Sequence, residues 1–170
     1  VSAFKEKLLQ HAAIPWVTSS SAVMGLDFNN WGCHFEGHED NHWSTLNMFV
    51  VDHDFQKTFS MQMDAGRFFS RDFPTDSSGI VINQAAASLF NTNDVMGRKI
   101  TFGGQYEFRV IGTMEDFHYE SFHQHIRPAG MLLLPGIWGI REDFISIRVS
   151  GENLPGTIRF IEDQWKEFTG

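Results

Sequence analysis

Two amphipathic segments, one at each end, constrain this chain most. From Asn153 onward, Ile158, Ile161, Trp165 and Phe168 recur at spacings of three and four. Pro155 sits in the first turn, where a missing N–H costs nothing, so the spacing predicts a helix with one apolar face. Near the start, Phe4, Leu8 and Ala12 share a helical face while Lys5, Glu6, Lys7 and Gln10 occupy other positions. Pro15 then ends the pattern, which predicts a helix over Phe4–Ala12. Between these helices the periodicity changes to that of strands, and helices bracketing a strand-rich middle define an α+β class.

Within the middle, Trp16–Val23 reads as a strand, followed by a Gly/Asn-rich irregular stretch through about residue 43. Thr45–Val51 is β-branched and aromatic and reads as a strand, with Asp52 or Asp54 placed to cap a helix over Phe55–Met61. Gly66-Arg67-Phe68-Phe69 leads into a polar turn. A brief strand at Ile80–Ile82 runs into a helix from Asn83 to Phe90, with Asn83 as its N-cap. Strands Lys99–Phe102 and Tyr106–Thr113 flank Gly103-Gly104, a pair suited to close a hairpin. A turn spans Asp116 to His125, and Met131–Leu134 and the alternating Phe144–Val149 complete the strands.

Composition narrows the function classes. The chain is 42% hydrophobic with 17 Phe and 5 Trp, too apolar and aromatic for intrinsic disorder. Its formal charge of −8, from 13 Lys plus Arg against 21 Asp plus Glu, comes with no basic cluster. That sign argues against nucleic acid and against a basic face on anionic lipid. The best apolar run, Gly130 to Ile140, is interrupted by Pro135 and Gly136 and falls short of the roughly 20 residues a bilayer requires. The opening Val-Ser-Ala-Phe-Lys lacks an initiator Met and a signal pattern, as expected of an excised piece or mature product. Cys33 is the sole cysteine, which rules out an intramolecular disulfide and any CxxC motif.

Four groups of residues invite a chemical reading. His34, His38 and His42, spaced by four among Cys33, Glu36, Glu39 and Asp40, are the sharpest metal candidates. Gly32, Gly37 and Asn41 make that stretch a poor helix, and the HExxH order is absent, so a solvated loop competes with a metal site. His118, His123 and His125 lie beside Asp116 and Glu120, where acid–base work competes with a structural turn closed by the Asp116 side chain. Ser19, Ser20 and Ser21 sit in no GxSxG elbow and suit a strand edge. Phe28, Trp31, Phe35 and Trp43 lie in the irregular stretch, either as a surface contacting a partner or substrate, or folded back as a satellite core. No catalytic residue is assigned.

The stretch Gly79 to Pro135 carries a more specific pattern. It runs through Asn83-Gln84-Ala85-Ala86, Met96-Gly97-Arg98-Lys99-Ile100 and Val110-Ile111-Gly112, then Asp116-Phe117-His118 with Ser121 and Pro128. In order and spacing it resembles the MacB-like periplasmic core domain of FtsX/MacB-family ABC transporter permeases. Asp52 with Phe55, Ala65-Gly66-Arg67-Phe68-Phe69, and more loosely Trp31-Gly32 and Phe35-Glu36-Gly37, extend the resemblance upstream. Thr113-Met114 and Phe122 depart from the residues commonest in the family, at packing positions.

The resemblance implies a domain lying between two transmembrane helices, with its terminal helices adjacent. Residues 1–63 and 129–170 would form a porter-like α+β subdomain and 64–128 a smaller inserted mixed α/β subdomain. It implies a non-catalytic role at the extracytoplasmic (periplasmic) face of the inner membrane, anchored by flanking transmembrane helices. There the domain would transmit ATP-driven conformational change and contact substrate or partner proteins. No cofactor is expected in this domain: no GxxxxGK[ST] loop is present, and ATP would be bound by a separate ATPase domain or subunit. Implied partners are the transmembrane helices of the same permease and its cytoplasmic ATPase. A second copy or a paralogous periplasmic domain, and an adaptor or lipoprotein, are further candidates. The transported cargo and its direction are not legible. The alternative is a stand-alone periplasmic solute- or metal-binding protein using the His-rich loop, with a hydrolase more distant. A binder needs a concave pocket with converging polar groups, whereas a transmission module needs paired termini.

Overall fold

A strand buried on both faces organises the molecule. In Ser44–Val51 (β3) every residue from Leu46 onward is buried, so both sets of alternating side chains face packed layers. The computed structural model describes all residues except 26–28, 40–41, 91, 118–124 and 135–142. Around β3 lie eight further described strands: Trp16–Ser20 (β1), Asn29–Phe35 (β2), Met63–Gly66 (β4), Gly79–Asn83 (β5), Lys99–Phe102 (β6), Tyr106–Met114 (β7), Ala129–Leu133 (β8) and Phe144–Arg148 (β9). The described helices are Ser2–Leu8 (α1), Phe55–Phe59 (α2), Gln84–Ala87 (α3) and Leu154–Thr169 (α4), with a 3-10 turn at Pro74–Ser78.

Six of the strands close on themselves. One edge of β3 lies parallel to β8, from Asn47↔Ala129 to Val51↔Leu133. Its other edge takes β2 antiparallel, from Asn29↔Met48 to Cys33↔Ser44. From β2 the pairing continues through β6 (Cys33↔Phe102), the β6–β7 hairpin, β5 parallel to β7, and β5 antiparallel to β8. The ring β2-β6-β7-β5-β8-β3 is therefore a small barrel. β1 and β9 extend it beyond β3, while β4 pairs with the far end of β7.

Alternation fills the barrel. Phe35, Leu46, Met48, Ile80, Ile82 and Ile100 are fully buried in one cluster, with Cys33, Val50, Phe102, Phe108, Val110 and Leu132 beside them. Ala86, Phe90 and Val95, from α3 and the segment after it, join the same cluster. Each fully buried aliphatic or aromatic side chain contributes about 1.5–3 kcal/mol, so this interior dominates the fold's stability. The intervening residues Phe49, Val51, Val81, Met114 and Met131 belong to a second cluster with Phe55, Met61, Phe68 and Phe69. A third joins Phe4, Leu8, Ile14 and Val17 to Ile145, Ile147, Phe160 and Ile161, seating α1 and α4 on β1 and β9.

The α+β class and the helices at both ends agree with the sequence, and several details differ. The stretch read as irregular through residue 43 contains β2. Its Trp31, Cys33 and Phe35 alternate toward the barrel core, and that period-two signal was hidden by Asn29, Asn30 and Gly32, residues depleted in strands. The helix expected from Asn83 to Phe90 has only the four residues of α3. Asp54 stands at the N-cap of α2 without a side-chain capping bond. Instead the Asp54 N–H donates to Asp52 Oδ1 at 3.0 Å. β2 and β8, expected in the porter-like part, pair with β6 and β5 of the expected insertion.

Candidate functional site: the paired terminal helices and their anchor

α1 and α4 run antiparallel. The ring of Phe4, near the start of α1, lies 5.4 Å from Trp165 and 5.3 Å from Phe168, near the end of α4. At the opposite end His11 lies 4.6 Å from Phe160. The two chain ends are thus side by side, and a cleft of about 350 Å³ is lined by Val1, Phe4, Ile145, Ile147, Ile161, Trp165 and Phe168 among others. Trp165 and Phe168 keep 48% of their surface exposed. Among the described residues no helix is long and apolar enough to cross a membrane.

The seam is tied to the sheet by charge. Lys5 of α1 forms an ion pair with Asp52, the residue after β3, and lies 3.4 Å from Asp54. Asp52 also accepts bonds from Thr18 Oγ1 at 2.5 Å, Ser19 N–H at 2.9 Å and Ser19 Oγ at 3.1 Å, so one carboxylate joins α1, β1 and the end of β3. Arg71, in the segment after β4, reaches Asp54 at 2.9 Å. In that segment Arg67 makes a two-pronged bond to Asp76 at 2.6 and 2.7 Å, and the Ser70 N–H donates to the same carboxylate at 2.9 Å.

These pairs set the response to acid. Burial by itself raises the Asp76 pKa, but the Arg67 guanidinium and the Ser70 N–H outweigh it and hold the group below the ordinary carboxylate range. Asp54 is likewise held low, with burial overcome by Arg71 and Lys5. Both carboxylates therefore titrate lower in the folded than in the unfolded chain. Their stabilisation is whole above about pH 4 and is lost as pH falls through the folded pKa. We predict that urea midpoints measured from pH 6 to 2 drop steeply in the lower half of that range. Asp76→Asn should be less stable at pH 7 and show a flatter acid limb; an unchanged limb would mean that the pair does not govern acid stability.

Two motif segments meet at the mouth of the barrel. Asn83 Oδ1 accepts from the Ala86 N–H and the Ala129 N–H, both at 2.9 Å, and its Nδ2 donates to the Arg127 carbonyl at 3.0 Å. Asp116 Oδ1 accepts from the Ala85 N–H at 2.9 Å, so the Asp116 carboxylate caps α3 from the end of β7, whereas the sequence suggested that it closes its own turn. His118 and His123 lie outside the described residues, and His125 is exposed. Beside α3, Asp64, Gln84, Asp94, Thr113 and neighbours line an open groove of about 490 Å³.

The remaining sequence candidates separate. Phe28 lies outside the described residues. Phe35 is fully buried, away from any exposed contact surface; Trp31 is partly buried and packs against the barrel core 5.7 Å from Phe102; Trp43 is 54% exposed. Ser19 and Ser20 are buried, Ser20 Oγ donates to the Ala22 carbonyl, and Ser21 Oγ accepts from the Val50 N–H. Ser19 and Ser21 thus serve the β1–β3 joint, while the Ser20 hydroxyl braces the chain just after β1. His38 and His42 lie with ring centroids 4.9 Å apart, while His34 Nε2 lies 3.0 Å from the Glu39 carbonyl. Among the described residues no three His, Cys, Asp or Glu side chains converge as a metal site.

Cys33 is inside the barrel, and burial pushes its thiol up to about 12. The thiolate is the reactive form, so native protein is predicted to give no prompt signal with a thiol reagent at pH 8 and one thiol per chain after denaturation. Rapid native labelling would show that the barrel opens readily.

A side-chain-filled barrel with two antiparallel terminal helices on its outer strands defines a domain whose two ends lie at one place. Comparison with known families gives the same class a name. The profile of the MacB-like periplasmic core domain matches residues 2–159, and the chain belongs to that family. The fold is similar to the periplasmic region of MacB from Actinobacillus actinomycetemcomitans, with a TM-score of 0.65 and 14% identity over 98% of this chain and 73% of that one. It is also similar to the extracellular domain of the noncanonic ABC-type transporter YknZ from Gram-positive bacteria, with a TM-score of 0.67 and 15% identity over 96% of this chain and 83% of that one. No curated protein matches the chain.

Proposed function

We propose that this domain is a non-catalytic transmission module of an ABC transporter permease, moving with flanking transmembrane helices and presenting its barrel to substrate or partner proteins outside the membrane. The observation that supports this most is the seam: two terminal helices with adjacent ends, joined to the sheet through Lys5 and Asp52. Displacement of α1 would pull on the carboxylate that also holds β1 and β3. ATP would bind to a separate ATPase domain or subunit. In this reading residues 1–63 and 129–170 form the part nearest the membrane and 64–128 the part presented outward.

The test uses the full permease with its ATPase. A fluorophore on Gln105→Cys, in the exposed β6–β7 turn, should report the nucleotide state, with buried Cys33 silent. Adding Lys5→Ala should leave ATP hydrolysis in place and reduce that signal. No nucleotide-dependent signal in the parent, or a full signal with Lys5 removed, would count against transmission through this seam.

A further inference from the structure

Among the described residues one buried side-chain nitrogen or oxygen lacks a hydrogen-bond partner: Nε2 of His38. Leaving such a group unsatisfied costs about 1–3 kcal/mol. The imidazole is held in place from behind, because its ring lies 5.9 Å from that of Phe35, itself fully buried in the barrel. Two backbone hydrogen bonds hold the described residues on either side: the His38 N–H donates to the Phe35 carbonyl at 3.1 Å and the His42 N–H to the Glu39 carbonyl at 2.8 Å. The ring of His42 lies 4.9 Å from that of His38, at an interplanar angle of 64°.

That separation fits a shared ion as well as an edge-to-face ring contact. With metal–nitrogen distances of about 2.0–2.1 Å, and a ring centre about 1.1 Å behind each nitrogen, two imidazoles at a near-tetrahedral angle have centroids about 5 Å apart. The sequence reading linked the spacing of four to a helix, but the two rings are juxtaposed outside the described helices. His34 takes no part, since its Nε2 is engaged with the Glu39 carbonyl and braces the turn.

We propose that His38 and His42 together hold one divalent first-row transition ion of the kind imidazole suits, zinc, nickel or copper(II), with water completing the shell. His42 is exposed, so the site opens to solvent, and with two protein ligands it binds reversibly. The proposal rests on the geometry of this connection alone and stands or falls apart from the transmission reading.

The test is calorimetric titration of the chain with zinc chloride and nickel chloride. One ion per chain is expected. His42→Ala, at an exposed position, and His38→Phe, which keeps a ring against Phe35, should each weaken binding at least about tenfold, the loss that removal of even an outer-shell partner brings. His125→Ala should leave affinity unchanged. In a two-dimensional imidazole spectrum the ring signals of His38 and His42 should move together on adding zinc. No binding, equal affinity in all three variants, or loss with His125→Ala alone would overturn the proposal.

Discussion

Replacing Gly112 by alanine is expected to lower the thermal unfolding midpoint by about 10 °C or more, corresponding to roughly 3–5 kcal/mol for a chain of this size. The reason is a close approach of two backbones. Gly112 on β7 pairs with Gly66 on β4, and a Cβ at Gly112 would stand 2.3 Å from the Arg67 carbonyl oxygen and 2.7 Å from the Met63 methyl. The methyl could turn aside, but the carbonyl is backbone and can move only if β4 leaves β7. Gly66 has φ of +67° and its own Cβ would meet the Ile111 carbonyl at 2.5 Å, so it is barred from substitution twice over. Gly151→Ala is the control, since nothing lies within 4 Å of its Cβ position. Equal midpoints for the two variants would mean that β4 is not seated on β7 as described.

Asn83→Ala should be nearly as damaging, costing about 3 kcal/mol or more in urea unfolding. Asn83 is fully buried, and its Oδ1 serves two N–H groups on different elements, Ala86 in α3 and Ala129 at the start of β8. Alanine leaves both without that acceptor, and each buried group so deprived costs about 1–3 kcal/mol. Asn83→Asp keeps the acceptor but loses the Nδ2 bond to the Arg127 carbonyl, and should fall between parent and alanine. An alanine variant within about 0.5 kcal/mol of the parent, the range of ordinary surface changes, would remove Asn83 from its place as the clamp between β5, α3 and β8.

These two sites show which parts of the molecule were legible. The Asn83 cap, the Gly103-Gly104 hairpin and the terminal helices rest on contacts within a few residues, and local pattern exposed them. Gly103 and Gly104 both have positive φ, as their hairpin requires. The family motifs marked Asn83, Gly112 and Asp116, but their use is non-local: Asn83 holds Ala129, Gly112 meets Arg67, and Asp116 caps a helix that begins at Gln84. Closure of the barrel was not legible at all. It depends on β2 pairing with β3 on one side and β6 on the other, and β2 is rich in residues that disfavour strands when read alone. Phe35, which the sequence left open between a contact surface and a packed core, is buried by that pairing.

The way β1 joins the ring has a mechanical consequence. The closed strands share ladders of three to five register pairs, whereas β1 meets β3 at Ser20↔Val51 alone, with a few bonds from Ser19 and Ser21 beside it. In the transmission reading proposed above, the closed ring would act as a hub and the β1–β3 meeting as its joint. In that reading, tension applied at the two adjacent ends would bear first on β1, β9 and the Asp52 tether, and reach the ring through them.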